Sequence, residues 1–231
     1  MPPKPHVFSI SRWVTVAVVI GCVVVGLFHY VDMPLTQMLH ARSTPFVFAV
    51  FDAIEELGSS ELYLVPALGL YIWALMAARK GWTVPASWNR DSVARASLFV
   101  IMTMALGGIV TALLKAAVAR SRPELLIEHG IYRLGVPFSK VAEFDSFPSS
   151  HTQAAFAVAA ALAVLAPRWR WPLMIIAAAV AMARLVNLDH YLSDVVAAAA
   201  IAITSAAFLA PRVLSAQSGW PLRTPWRWFR T

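Results

Sequence analysis

Six apolar runs, at 13–30, 62–78, 96–119, 152–166, 173–188 and 195–209, leave this 231-residue chain few ways to fold. A helix that crosses a bilayer needs about 20 mainly apolar residues, and helices satisfy their backbone polar groups without water. With 59% hydrophobic and 13% charged residues, the sequence has too little polar surface to wrap these runs into a water-soluble core. The expected fold is all-α, a polytopic membrane protein of six transmembrane helices in a single membrane-embedded domain spanning 1–231.

Two segments qualify that picture. Lys4 and Arg12 precede the first run as in a signal peptide, and Val19-Ile20-Gly21-Cys22 looks like a lipoprotein cleavage site. The run continues through Val23, Val24 and Val25 with no small-residue cleavage site after it, so an uncleaved first helix is expected. Between the first two runs, Val47, Val50, Phe51, Ile54 and Leu57 recur at helical spacing. Asp52, Glu55 and Glu56 lie between them, and Gly58 supplies a stop. This pattern predicts an amphipathic helix at the membrane interface, between spans one and two.

Charge sets the orientation. Alternating crossings put the N-terminus, the 79–95 loop, the 167–172 turn and the C-terminal tail on one side, with twelve basic residues and one acid, Asp91. The opposite side carries seven basic residues and eleven acids. By the positive-inside rule the first side, including tails 1–12 and 213–231, is cytoplasmic. Trp82, Trp88, Trp169, Trp171, Trp220, Trp226 and Trp228 fall near that side, as an interfacial belt would. The net charge of +7 does not point to nucleic acid, because the basic residues flank apolar runs instead of forming one patch. The single cysteine, Cys22, excludes an intrachain disulfide and a thiolate metal cluster.

Three polar clusters map to the outer side. Lys115 and Arg122 are seven residues apart, two helical turns, and Pro123 marks the helix end; as a pair they also suit snorkelling at a membrane boundary. Pro148-Ser149-Ser150-His151 opens the fourth run, where serines cap a helix and free N–H groups attract an anion. Arg184, His190 and Asp194 run from the fifth span into the sixth. On a helix, His190 and Asp194 at i and i+4 would let the carboxylate bond one ring nitrogen and leave the other as a nucleophile. Arg184 would then point about 240° away, so a break near Leu188–Asp189 is required. The 33 residues from His151 to Arg184 span roughly 50 Å of helix, short of two crossings of about 30 Å each. Both residues should therefore lie just below the outer surface, at a depth where charge is costly unless it has a function.

These motifs resemble the type 2 phosphatidic acid phosphatase family, which shares its site with vanadium haloperoxidases. The family signature is K-x6-R-P, P-S-G-H and S-R-x5-H-x3-D. Here it reads Lys115/Arg122/Pro123, Pro148/Ser149/Ser150/His151 and Ala183/Arg184/His190/Asp194, in a core of about 40–210. Ser150 stands in place of the family glycine, and Ala183 in place of the serine before the arginine.

The resemblance implies a metal-independent, cofactor-free membrane lipid phosphatase whose partners are a lipid phosphate substrate and membrane lipids. It implies that His190 attacks phosphorus, that Asp194 stabilises the resulting imidazolium, and that His151 protonates the leaving group and then activates water. Lys115, Arg122, Arg184 and the Ser149 and Ser150 amides would hold the phosphate oxygens. Phosphatidylglycerophosphate, phosphatidate, undecaprenyl pyrophosphate and a lipid A phosphate all fit as substrates. Two rival readings are a phosphotransferase using the same phosphohistidine and a transporter whose charges line a pathway.

Overall fold

The computed structural model describes residues 9–82, 90–139 and 141–214. Each expected run forms a helix: α1 (Ile10–Tyr30), α4 (Glu61–Lys80), α5 (Arg90–Val118), α7 (Ser150–Leu165), α8 (Arg170–Val186) and α9 (Leu192–Val213). Three further helices are α2 (Asp32–Arg42), α3 (Pro45–Glu55) and α6 (Pro123–His129). The sequence reading anticipated α3 but not α2 or α6. Both carry too few periodic apolar residues to stand out, and Pro123 at the first position of α6 starts a helix instead of stopping one. Among the described residues there is no strand beyond an isolated bridge, Arg120 to Leu134.

By length and composition, five stretches are apolar enough to cross a membrane: Ile10–Tyr30, Pro45–Lys80, Arg90–Val118, Pro167–Val186 and Leu192–Val213. The chain is thus a multi-pass membrane protein. The sixth expected span, α7, has only 16 residues, about 24 Å of helix. It lies in the middle of the bundle, packed by α5, α8 and α9, so its surroundings are protein. Alanine makes that possible: Ala154, Ala157, Ala160 and Ala161 of α7 and Ala198, Ala202 and Ala206 of α9 are all buried. Small side chains let helix backbones approach closely where lipid offers no hydrophobic drive.

Helix α1 stands at the edge of the bundle, against α9. None of its residues is buried, and between it, α5 and α9 runs an apolar groove of about 510 Å³ that ends at Phe147. On the other side of the bundle, α3 packs along α8 and ends in a one-turn 3-10 helix, Glu56–Gly58. Trp82, Trp169 and Trp171 are exposed. Trp88, Trp220, Trp226 and Trp228, with the ends of both tails, lie outside the described residues.

Candidate active site

The helix ends on one face of the bundle gather the charged residues. Helix α5 stops at Val118 because Ala119 takes a left-handed backbone, φ +46°. The chain then runs extended through Arg120–Arg122, held on both sides. Ser121 N–H donates to Arg133 O at 3.1 Å, Arg122 N–H to Glu143 O at 2.9 Å, and Ser146 N–H to Arg120 O at 3.0 Å. Gly135 permits this clamp, since a Cβ there would sit 2.6 Å from Phe144 Cδ1 and 3.1 Å from Ala119 O.

Lys115 and Arg122 therefore do not share a helix face, contrary to the two-turn reading. Lys115 lies on α5 and Arg122 on the extended segment, and Asp145 brings them together. Arg122 Nε donates to Asp145 Oδ1 at 2.6 Å, while Lys115 Nζ lies 3.7 Å from Oδ2 and donates to the Asp145 carbonyl. Arg184, at the end of α8, donates to Glu55 at 2.6 Å and approaches Asp189 Oδ2 at 3.3 Å. Asp189 also lies 3.6 Å from Arg122. Three cations and three carboxylates thus form one chain of ion pairs across six segments. Burial pushes the Asp145 carboxyl up, but the Arg122 bond and the charges of Lys115 and Arg122 prevail and hold it below its ordinary value. At Asp189 burial prevails over Arg184 and the carboxyl is raised.

The predicted break between α8 and α9 is present: α8 ends at Val186 and Leu188 is left-handed at φ +60°. His190 does not share a helix with Asp194, as the i, i+4 reading supposed. It precedes α9 in the connecting segment, whereas Asp194 is the third residue of α9, where its Oδ2 accepts the Tyr191 N–H at 2.8 Å. The cap bends the chain back, so that His190 Nδ1 faces Asp194 Oδ2 at 3.7 Å and has no hydrogen-bond partner of its own. Burial pushes the His190 imidazole down to about 4 against the pull of Asp194, so the ring is neutral at neutral pH. Arg184 and Lys115 are near enough to act on it as well.

Ser149 is the N-cap of α7 and its Oγ accepts the Thr152 N–H. Its own N–H points at the Asp194 carbonyl, 3.4 Å away, so of the two expected amides that of Ser149 is engaged within the protein. That of Ser150 belongs to the first turn of α7, whose amides have no partner within the helix. Ser150 opens α7 with helical backbone, a conformation that does not require the family's glycine. Ala183 is buried. His151 occupies the first turn of α7 beside Arg184 and against Gly58. A polar cleft of about 400 Å³, bounded by Phe48, Asp52, Glu55, Asn187 and Asp189, opens beside Arg184.

Several residues here carry no assignment to the site in the sequence. Asp145, Asp189 and Glu55 are the partners of the clamp, Ser146 donates to Asp194 at 2.6 Å, and Arg120 bonds the same carboxylate at 2.5 Å. Arg120, two residues before Arg122, carried a weak signal as one more basic residue at a helix end. The carboxylates carried none, because their distance along the chain from their partners is arbitrary.

The model of the PAP2 superfamily matches residues 96–216, more than half of the chain. The Lipid A 1-phosphatase of Rhizobium johnstonii is 35% identical over 140 residues, 58% of this chain and 56% of that protein. The Lipid A 1-phosphatase of Rhizobium etli is 34% identical over 131 residues, 54% and 56%. The chain thus spans about half the length of these relatives. The crystal structure of Aquifex aeolicus LpxE superposes with a TM-score of 0.55 at 20% identity, covering 76% of this chain and 92% of that one. The crystal structure of the first transmembrane PAP2 type phosphatidylglycerolphosphate phosphatase from Bacillus subtilis gives a TM-score of 0.60 at 17% identity, covering 86% and 92%. At such identities the two structures share the fold.

Proposed function

This chain belongs to the PAP2 superfamily, and from that premise we propose that it is a metal-independent membrane lipid phosphatase acting through a phosphohistidine at His190. The observation that carries the proposal is the neutral, buried His190, with Nδ1 turned to Asp194, beside Lys115 and Arg184. That orientation leaves Nε2 as the nucleophile. Its lone pair forms the N–P bond as the bond from phosphorus to the leaving oxygen breaks, and His151 supplies the proton that the leaving alkoxide needs. Positive charge developing on the imidazole draws Nδ1–H toward Asp194. In the second step His151 takes a proton from water, whose oxygen attacks phosphorus and releases His190. Lys115, Arg122, Arg184 and the Ser150 amide balance the charge on the equatorial oxygens.

The substrate is a lipid phosphomonoester or pyrophosphate. The names of the sequence relatives make a lipid A 1-phosphate the first to test, ahead of phosphatidylglycerophosphate, phosphatidate and undecaprenyl pyrophosphate. In this reading α7 completes six crossings, α3 lies at the interface as an amphipathic helix, both termini are cytoplasmic and the site faces outward. The deciding experiment measures phosphate release and acid-labile phosphoenzyme for the four lipids, in the wild type and in His190→Ala. Release by the wild type, with neither release nor phosphoenzyme in His190→Ala, is the expected result. A fully active His190→Ala protein would end the proposal.

A further inference from the structure

Arg120 lies outside the family signature, yet it is among the largest fully buried side chains, 1% exposed. Its Nη1 donates to Asp194 Oδ1 at 2.5 Å and to Ser193 Oγ at 2.6 Å. Its Nη2 donates to Asp32 Oδ2 at 2.8 Å and to Tyr132 Oη at 3.0 Å. The guanidinium carbon lies 3.9 Å from the ring centroid of Tyr191, 4.6 Å from that of Phe28 and 5.3 Å from that of Tyr132. Asp32, at the start of α2, is equally buried, and its carboxylate accepts both the N–H of Ser193, at 2.9 Å, and the Ser193 hydroxyl. Asp32, Arg120 and Asp194 therefore form a buried line of alternating charge, cut off from water and tied to the first turn of α9.

This line matters to His190 because Asp194 has two edges. One oxygen, Oδ2, faces His190 Nδ1 and accepts from Ser146 and the Tyr191 N–H. The other is taken by Arg120. An arginine alone on that edge would cancel the charge Asp194 needs when the imidazole becomes cationic, and buried charges are little screened. Asp32 on the far side of the guanidinium leaves the line with a net charge of −1.

We infer that Arg120 and Asp32 are positioning residues for His190: Arg120 fixes the Asp194 carboxylate, and Asp32 restores the negative field that Arg120 would otherwise remove. The inference rests on the proposal that His190 is the nucleophile. The other charged groups facing His190 are Arg184 from α8, Lys115 from α5 and Asp145 from the segment before α7. None of them is altered by changes at Asp32 or Arg120, so a change in the titration of His190 reports on the line itself.

The test uses the full chain in detergent, labelled with carbon-13 at histidine Cε1, with the His190 resonance assigned by its loss in His190→Gln. Asp32→Asn leaves Asp194 and Arg120 cancelling one another, and the His190 midpoint should fall. The double variant Asp32→Asn/Arg120→Gln leaves Asp194 unopposed with no buried unpaired cation, and the midpoint should rise above wild type by roughly half a unit or more. Phosphoenzyme formation should slow in the single variant and recover only in part in the double, where the negative field returns but Arg120 no longer fixes Asp194. If Asp32→Asn fails to fold, the double variant decides by itself. A double-variant midpoint at or below wild type would overturn the inference and leave the line as a structural staple between α2 and α9. The expected order of midpoints among the variants, with no phosphate released from any lipid by the wild type, would instead defeat the phosphatase reading.

Discussion

Gly58 and His151 occupy a gap with no room for another carbon: a Cβ on Gly58 would lie 2.8 Å from His151 Cβ, with Val180 Cγ1 2.9 Å away. Neither neighbour can yield easily, since both atoms sit close to the helix backbones of α7 and α8. Gly58 is thus the residue that sets how His151 stands in the site. In Gly58→Ala the imidazole is displaced, and kcat should drop by roughly ten- to a hundredfold, the usual scale for misplacing a catalytic group by about 1 Å. The bound lipid phosphate would still meet Lys115, Arg122 and Arg184, so KM should change little. Steady-state kinetics on one lipid decide this, and a wild-type kcat would refute it.

The pH dependence follows from burial. In the proposed mechanism neutral His190 attacks, and burial carries its midpoint from 6.5 to about 4. Phosphoenzyme formation should therefore persist below the ordinary histidine midpoint and disappear as pH falls toward 4. Stability moves the same way: between 6.5 and 4 the unfolded chain takes up a proton at His190 that the folded chain does not, so stability falls as pH falls through that window. A rapid-quench pH series measures the first effect and denaturation at several pH values the second. An acid limb centred at 6.5 would contradict the buried, neutral ring.

Asp145 holds both Lys115 and Arg122 in the absence of substrate. A phosphate bound there has to displace or repel that carboxylate. Asp145→Asn keeps the shape and removes the charge, so inhibition by vanadate should tighten by roughly tenfold, equivalent to about 1.4 kcal/mol. Unchanged or weaker inhibition would show that Asp145 orients the cations more than it competes with the anion.

The segment beside the end of α5 carries Leu134, Val136, Phe138 and Val141, all large and exposed. Such residues suit contact with acyl chains at an interface, and water alone would not require them. The kcat/KM for a long-chain lipid phosphate should exceed that for a water-soluble ester by at least about tenfold in the same detergent, since burying even two methylenes contributes about 1.6 kcal/mol. Val136→Ser/Phe138→Ser should narrow the gap by slowing only the lipid. Equal turnover of both substrates by the wild type would remove lateral access from the bilayer.

Orientation can be tested independently of chemistry. Reporters fused at Ser87 and at the C-terminus should both read cytoplasm, and one at Gly130 should read exterior. A cytoplasmic reading at Gly130 would put the site on the opposite face.

The helices and the residues that carry the motifs can be read directly along the chain. Sustained apolar runs leave the backbone no other way to satisfy its hydrogen bonds away from water, so all six runs became helices, with ends up to six residues from those expected. Motif spacing picked out Lys115, Arg122, Ser149, Ser150, His151, Arg184, His190 and Asp194, because their order and separation along the chain are the signal. The break after Val186 was legible too, since Arg184 and His190 cannot share one face of a straight helix. How these side chains meet was not legible. Lys115 and Arg122 converge through Asp145, not through a common helix face, and His190 reaches Asp194 through the cap of α9, not along a helix turn. Only the tertiary structure placed Asp32 and Arg120 against Asp194, 162 and 74 residues away in sequence. The pairing of buried charges depends on which segments pack together, and no local periodicity records that. A lone arginine two residues before a motif reads as one more basic residue at a membrane boundary until packing encloses it between two carboxylates.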